Sequence, residues 1–182
     1  MSDEGDHKGR TRDARGPGRR GGVAARRRAA RLGAVQALYQ MEIGGANADQ
    51  VIAEFDRHRL GKEIDGQSFG EADRELFADL VRGVAATHAD LDNMLAACLS
   101  EEWSVERLEA VLRAILRAAT YELSERHDVP PRVVISEYLE LADAFFGGKE
   151  PGLVNAVLDC VARAIRPDEL EAPNGGRSAS AR

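Results

Sequence analysis

The segment RRRAARLGAVQALYQMEI, residues 26–43, joins a run of arginines to an apolar helical pattern. After the arginines, apolar residues recur at i, i+3 and i+4 spacing: Leu32, Val35, Leu38 and Met41 or Tyr39. This spacing places them on one face of an α-helix. Two glycines at 44–45 follow, and glycine is typical just past the end of a helix. The segment therefore predicts a helix over residues 23–43 whose first turns carry cations.

Helical periodicity continues over most of the chain, and no convincing strand appears. It predicts six further helices at about residues 48–59, 71–86, 91–99, 104–123, 131–146 and 151–166. The third and fourth are separated by a short break or kink at 87–90, and Ser104 is a candidate cap for the fifth. The prolines at 130–131 favour a fresh helix start. Short connections between such helices are typical of an all-α protein.

The predicted organisation is about seven helices packed as two small helical sub-bundles, near residues 23–90 and 91–168. Residues 1–22 are rich in glycine and charge and almost lack apolar side chains. Such composition is typical of disorder. We expect a disordered basic N-terminal extension over 1–22 and a disordered tail over 169–182.

Charge divides sharply along the chain. The first 31 residues hold ten Lys and Arg against four Asp and Glu, whereas the remaining 151 hold fifteen against twenty-seven. A positive segment on an otherwise acidic protein indicates that a polyanionic ligand binds at one edge of the protein. The pattern favours a nucleic-acid-binding protein whose other surface is acidic.

The geometry of an α-helix arranges the arginines of the first predicted helix in a strip that leads towards Tyr39. Arg27 and Arg31 are one turn apart and share a face, and Tyr39 returns to within about 20° of Arg28. Guanidinium groups bind phosphates with paired donors, and an aromatic ring can accept an unstacked base. The strip therefore predicts a single-stranded RNA surface. A nonspecific basic tail and a half-buried tyrosine are the alternative interpretations.

Several other classes of protein find no support. No apolar run reaches the length of a membrane span, and the N-terminus lacks the apolar core of a signal peptide. We therefore expect a cytoplasmic protein in which Cys98 and Cys160 are buried thiols in a reducing compartment. The four histidines are far apart and none has a second ligand at metal spacing, so no metal or cofactor is expected.

Catalytic motifs are equally weak. The pattern GPGRRG at residues 16–21 formally matches a dinucleotide fingerprint, but it follows no strand, so we discard it. Glu137 and Glu140 lie one helical turn apart with Asp143 beyond, yet no nucleophile or base converges on them. An exposed helix face explains these three carboxylates. The sequence predicts no enzyme.

Four stretches together resemble the NusB family of bacterial transcription antitermination factors. They are Arg27 to Tyr39, the segment ILRAATYEL at 115–123 with DVP at 128–130, VISE at 134–137 with ELA at 140–142, and LVNAVLD at 153–159. They occur in the family's order and cover roughly residues 23–168. The resemblance implies an all-α, NusB-like fold and a non-enzymatic RNA-binding factor.

The resemblance also implies a target and partners. NusB-like proteins bind the boxA element of nascent ribosomal RNA together with NusE, a basic ribosomal protein, and support processive transcription by RNA polymerase. The implied RNA-binding residues are Arg27, Arg28, Arg31, Tyr39, Phe145, Lys149 and Asn155. Lys149 lies in a turn beside a helix N-terminus, which favours an anion, although a solvated loop lysine is as good an explanation.

The acidic body offers a surface for a basic partner. Candidate partner-binding residues on or beside the fifth predicted helix are Glu106, Glu109, Glu122 and Glu125; a solvated helix face is the alternative for each. Two other functions stay open: the targeting domain of a ribosomal RNA cytosine methyltransferase fragment, and a helical dimerisation module without specific RNA binding. A homodimer is also possible on this sequence.

Overall fold

The computed structural model of the protein describes residues 18–60, 63–64, 67–68 and 72–171. Within this part the helices are α1 (Gly18–Gly44), α2 (Ala48–His58), α3 (Arg74–Cys98), α4 (Ala110–Glu125), α5 (Pro131–Phe145), α6 (Glu150–Ile165) and α7 (Pro167–Glu171). A 3-10 turn spans Val105–Arg107, and two-residue strands β1 (Glu63–Ile64) and β2 (Gln67–Ser68) pair antiparallel. The predicted all-α class is confirmed, and the small strand pair is an addition to it.

Helix α1 begins at Gly18, five residues before the predicted start and inside the segment expected to be disordered. Its end agrees with the glycine signal. Gly45 has a φ of 67° and its N–H donates to the carbonyl of Met41 over 2.9 Å, which is a left-handed helix cap. At the other terminus α7 occupies the first residues of the predicted tail. The prediction of disorder for residues 1–17 and 172–182 falls outside the residues that the structure describes.

A first apolar cluster joins α1 and α2 to the N-terminal half of α3. Small residues of α1 (Ala30, Ala34 and Ala37) let the neighbouring helices approach closely. The rings of Phe55 and Phe77 stack with centroids 5.5 Å apart. Helix α2 is begun by a capping box in which Asn47 and Gln50 exchange side-chain and backbone hydrogen bonds, which satisfies two N–H groups that the helix leaves unpaired.

Helix α3 runs unbroken for 25 residues, so the predicted break at 87–90 is wrong. No proline occurs there, and the hydroxyl of Thr87 donates to the carbonyl of Gly83 over 2.8 Å inside the helix. Val84, Leu91 and Leu95 continue the buried stripe across the expected break. The polar residues between them face outward without ending the helix.

A second, larger cluster surrounds α4, with α5, α6 and the C-terminal half of α3 packed around it. Helix α4 is nearly all buried in its middle, because Ala114, Ala118 and Ala119 alternate with larger apolar residues. Helices α1 and α3 contribute side chains to both clusters. The division into two sub-bundles stays a prediction, and its boundary at residues 90–91 falls within α3.

Ser104 does not cap a long helix. It precedes the 3-10 turn, makes no side-chain cap hydrogen bond, and α4 starts only at Ala110. Arg113 holds the turn instead, because its Nη1 donates to the carbonyls of Val105 and Leu108 over 2.7 and 3.0 Å. The expected capping role of Ser104 is therefore wrong.

The two cysteines form a disulfide rather than free thiols. Cys98 ends α3 and Cys160 lies in α6, and packing of these two helices brings their Cα atoms to 5.8 Å. This corrects the expectation of two reduced thiols. A separation of 62 residues gives no local sequence signal for the pairing.

Candidate nucleic-acid interface

The third turn of α1 presents arginines at the edge where α1 meets the α4–α5 turn and α5. Arg26 is exposed, and its carbonyl accepts the N–H of Asp73 over 3.0 Å, so the backbone here is tied to the start of α3. The side chains of Arg27 and Arg28 remain 34% and 52% exposed. This edge therefore offers guanidinium groups on a fixed element.

Two glutamates of α5 hold the Arg28 guanidinium. Its Nη2 lies 2.9 Å from Glu140 Oε2 and 3.2 Å from Glu137 Oε1. The hydrogen bond to Glu137 is the main reason that the pKa of Arg28 is raised above its ordinary value. Glu140 is 56% exposed, whereas Glu137 is 14% exposed. Arg28 is the most exposed of the three arginines of α1 that are candidates for RNA binding, and it is already paired with carboxylates of the protein itself.

Arg31 is buried, with 2% of its surface exposed. Its Nη2 and Nε bind the two carboxylate oxygens of Glu122 over 2.6 and 3.0 Å, and its Nη1 binds Glu137 over 3.2 Å. These bonds direct the guanidinium towards α4 and α5, away from solvent. We therefore withdraw Arg31 as an RNA contact and describe it as part of the helix packing.

Glu122 is also buried and has no surface to offer a partner. Besides Arg31, it accepts a hydrogen bond from the hydroxyl of Tyr138 over 3.0 Å. Burial raises the pKa of that tyrosine well above its ordinary value. Glu122 is therefore withdrawn from the partner-binding set, and it links α4 to both α1 and α5.

Arg27 borders a surface groove of about 490 Å³. The apolar wall of the groove comes from Val23, Ala24, Val129 and Val133. Arg27 Nη2 lies 3.6 Å from Asp128 Oδ2, and its Nε is buried without a hydrogen-bond partner among the described residues. Its guanidinium is thus less completely satisfied than that of Arg31.

Asp128 belongs to a chain of ion pairs that reaches α3. Arg126 Nε binds Asp128 over 3.0 Å, and its Nη1 binds Asp79 over 3.1 Å. The hydrogen bond from Arg126 lowers the pKa of Asp128. Tyr121 donates to Asp79 over 3.1 Å. The arginine edge of α1 is therefore bordered by carboxylates that have cationic partners on the protein itself.

Tyr39 is 40% exposed, about 16 Å along the α1 axis from Arg28 at the rise of an α-helix. The other candidates lie where α5 meets α6: Phe145 is 36% exposed, and Lys149 and Asn155 are exposed. No hydrogen bond or ion pair within the described ranges joins them to the arginines of α1. Whether these residues share one RNA surface stays a prediction.

The remaining acidic candidates do not form one cluster. Glu106 and Glu109 are exposed before the start of α4, and Glu125 is exposed at its last residue. Sixteen residues of helix separate Glu109 from Glu125, which is about 24 Å. A single small contact with a partner cannot include both ends.

Sequence reasoning missed the partners of the arginines. The sequence pattern explains Glu137 and Glu140 as an exposed helix face and assigns no partner to Asp128. The available signal was the i, i+3 spacing of Glu137 and Glu140 on one helix, together with the arginine run of α1. That signal does not say which helix faces which, because it carries no tertiary information.

Among the described residues, no group of His, Cys, Asp and Glu side chains is arranged to hold a metal ion. The helices of that part of the chain also include none that is long and apolar enough to cross a membrane.

Comparison with known proteins identifies the family. The NusB family model matches residues 28–163. The transcription antitermination protein NusB of Rhodopseudomonas palustris (strain BisB18) is 50% identical over 147 residues, covering 81% of this chain and 87% of the relative. That of Maricaulis maris (strain MCS10) is 55% identical over 144 residues, covering 79% and 90%.

Solved structures agree. NusB of T. maritima (P3121, form 2) superposes with a TM-score of 0.66 at 30% identity, covering 80% of this chain and 97% of that one. A protein chain in the structure named "Crystal Structure of a Plectonemic RNA Supercoil" gives 0.64 at 25% identity, covering 76% and 94%. The chain therefore belongs to the NusB family, whose curated members are transcription antitermination proteins and not enzymes.

Proposed function

We propose that the protein binds boxA-type single-stranded RNA of nascent ribosomal RNA transcripts together with the ribosomal protein NusE. In this role it is a cytoplasmic adaptor that helps an antitermination complex form on RNA polymerase. Family membership supports the general role, and the arginine edge of α1 supports the RNA contact.

The observation that carries the RNA contact is the exposure of Arg27 and Arg28 in the third turn of α1. Two guanidinium groups on a rigid helix meet phosphates with less ordering entropy than the same groups on a loose tail. Tyr39, Phe145, Lys149 and Asn155 complete the proposed contact set, since each is exposed. A related chain in a structure named for an RNA supercoil also fits this role.

Electrostatics restricts where RNA can lie. The chain carries a net charge of −6, so most of its surface repels phosphates. Among the α1 residues whose side chains the structure describes, the arginines with exposed surface are Arg26, Arg27 and Arg28. The proposed path of the RNA therefore begins at Arg26, Arg27 and Arg28 of α1 and avoids the acidic body.

The protein partner is proposed to contact the acidic body. NusE is basic, and Glu106 and Glu109 lie exposed together before α4. Charge complementarity of this kind mainly raises the association rate and fixes orientation. Glu125 lies at the far end of α4, so it serves the same partner only if the contact extends along the helix.

The test is a titration of labelled boxA RNA and of a scrambled RNA, with and without NusE. The wild-type chain should prefer boxA, and NusE should increase that preference. Arg27→Ala with Arg28→Ala should weaken RNA binding severalfold and reduce the salt slope, which is about 0.7 per phosphate for single strands. Arg82→Ala is the control, since this exposed arginine of α3 pairs with Asp49 alone among the described residues.

Three results would contradict the proposal in different parts. Equal binding of both RNAs would reduce the protein to a nonspecific binder. Equal loss in the Arg82 control would remove the assignment to α1. Dimerisation without any salt-dependent RNA binding would favour the alternative of a helical dimerisation module.

A further inference from the structure

We propose that Glu140 is a built-in competitor of RNA, which occupies Arg28 in the free protein and must be displaced before a phosphate can bind there. This inference rests on the proposed RNA contact of Arg28 and adds a residue that sets its strength. Because Glu140 lowers the affinity for RNA, RNAs that bind through phosphate contacts alone no longer form a stable complex.

Glu140 occupies the Arg28 nitrogen that a phosphate would bind. Its Oε2 lies 2.9 Å from Arg28 Nη2, which is the shortest contact that Arg28 makes with either glutamate. Both side chains are more than half exposed, so a phosphate can approach the same nitrogen. Two anions cannot share that position without repulsion. A bound phosphate and the Glu140 carboxylate therefore exclude each other.

Glu137 differs from Glu140 in what else it binds. It contacts Arg31 as well as Arg28, over 3.2 Å in each case, and is 14% exposed. Its carboxylate belongs partly to the buried network, so it stays in place when Arg28 turns towards RNA. Of the two glutamates, Glu140 is the one that can be displaced without opening the helix packing.

The carboxylates beside Arg27 and Arg28 determine how strongly this competition lowers the affinity for RNA. Arg28 lies 2.9 Å from Glu140, whereas Arg27 lies 3.6 Å from Asp128, a carboxylate that is already paired with Arg126. Of these two arginines, Arg28 is therefore the more fully neutralised in the free protein. The lost ion pair subtracts the same free energy from every RNA complex. At a given protein concentration, complexes without further contacts are the first to disappear.

The experiment measures the affinity of the full chain for a short labelled oligouridine and for boxA RNA. Glu140→Gln should tighten both complexes about two- to fourfold at low salt, the range that surface ion pairs support. Asp143→Asn is the matched control: it removes one exposed carboxylate from the same helix, and Asp143 makes no ion pair within the described residues. The control should change affinity less.

A second arm uses Arg28→Ala as background. Removing Glu140 should then give no more than the control, because the arginine that it occupies is gone. Raising the salt should also shrink the difference between Glu140→Gln and Asp143→Asn. Thermal unfolding of each variant checks that the fold is retained.

The outcomes separate this inference from the proposed function. If Arg28→Ala leaves RNA binding unchanged, the proposed contact of Arg28 is wrong. If Arg28→Ala weakens binding but Glu140→Gln matches Asp143→Asn, the contact stands and the competitor is overturned. Weaker binding by Glu140→Gln would show that Glu140 positions Arg28 for RNA, which also overturns the proposal.

Discussion

Arg31 of α1 and Glu122 of α4 form a two-point ion pair in the protein interior, with Nη2–Oε1 at 2.6 Å and Nε–Oε2 at 3.0 Å. Their side chains are 3% and 0% exposed. Tyr138 adds a third hydrogen bond from α5. One guanidinium and one carboxylate thus join three helices, at a place where the sequence suggested an RNA contact and a partner contact.

Replacing Arg31 with methionine should lower the free energy of unfolding by about 3–5 kcal/mol, because Glu122 is left as a buried charge without its partner. Adding Glu122→Gln should recover part of this loss, since the amide is neutral. Denaturant unfolding measures both values. Arg82→Met, which breaks only an exposed pair, should cost less than about 1 kcal/mol. A similarly small loss for Arg31→Met would show that the interior pair is not formed in solution.

Periodicity could predict most helices, since the apolar stripes on α1, α2, α4, α5 and α6 are what pack them. It could not predict that α3 continues through residues 87–90, because polar residues on an outward face look like a break. It also could not separate Arg31 from Arg28. Both lie in one arginine run, and only the position of Glu122, 91 residues away, decides which one is buried.

The candidate site was only partly predictable for the same reason. Exposure of Arg27, Arg28 and Tyr39 agrees with the expected cationic strip, yet the carboxylates that oppose the arginines come from α5 and from the α4–α5 turn. Partners supplied by distant segments leave no trace in local spacing. Local patterns predict which charges exist, and tertiary packing decides which remain available.

Gly83 lies against Tyr121 so closely that a Cβ would overlap the ring. Gly83→Ala should therefore destabilise the protein by about 1–3 kcal/mol through overpacking. In a Tyr121→Ala background the same change should be neutral or gain up to about 1 kcal/mol, the helix preference for alanine. Gly152→Ala in α6, where nothing lies within 4 Å, is the control and should be stabilising. Equal losses in both backgrounds would contradict the close contact.

Thr120 of α4 is fully buried, and its hydroxyl has no hydrogen-bond partner in the described part of the chain. Thr120→Val removes that unsatisfied group at nearly constant shape and should raise the free energy of unfolding by about 1 kcal/mol. Thr120→Ser keeps the hydroxyl, loses a methyl group and should lower stability by a similar amount. Denaturant melts compare the two. A loss for both variants would indicate that the hydroxyl has a partner.

The Cys98–Cys160 disulfide closes a long loop between α3 and α6. For a separation of 62 residues, chain entropy sets an upper figure of about 4 kcal/mol for its stabilisation. Cys98→Ser, Cys160→Ser and reduction of the wild type should each lower stability by about 2–4 kcal/mol. Thiol titration of the denatured, unreduced protein should find no free thiol. Two titrating thiols would show that the bond does not form.

Alkaline pH should weaken the fold through Tyr121, which is partly buried, and Tyr138, which is fully buried. Burial, followed by the hydrogen bond to Asp79, raises the pKa of Tyr121 from 10.0 to about 12, and the pKa of Tyr138 rises as well. Between pH 10 and 12 the unfolded chain therefore binds fewer protons than the folded one, so the free energy of unfolding falls as pH rises. Denaturant melts at several pH values from 8 to 12 should show this decline, and Tyr121→Phe should make it shallower. An unchanged slope in that variant would mean that Tyr121 ionises equally in both states, which its burial against α3 does not allow.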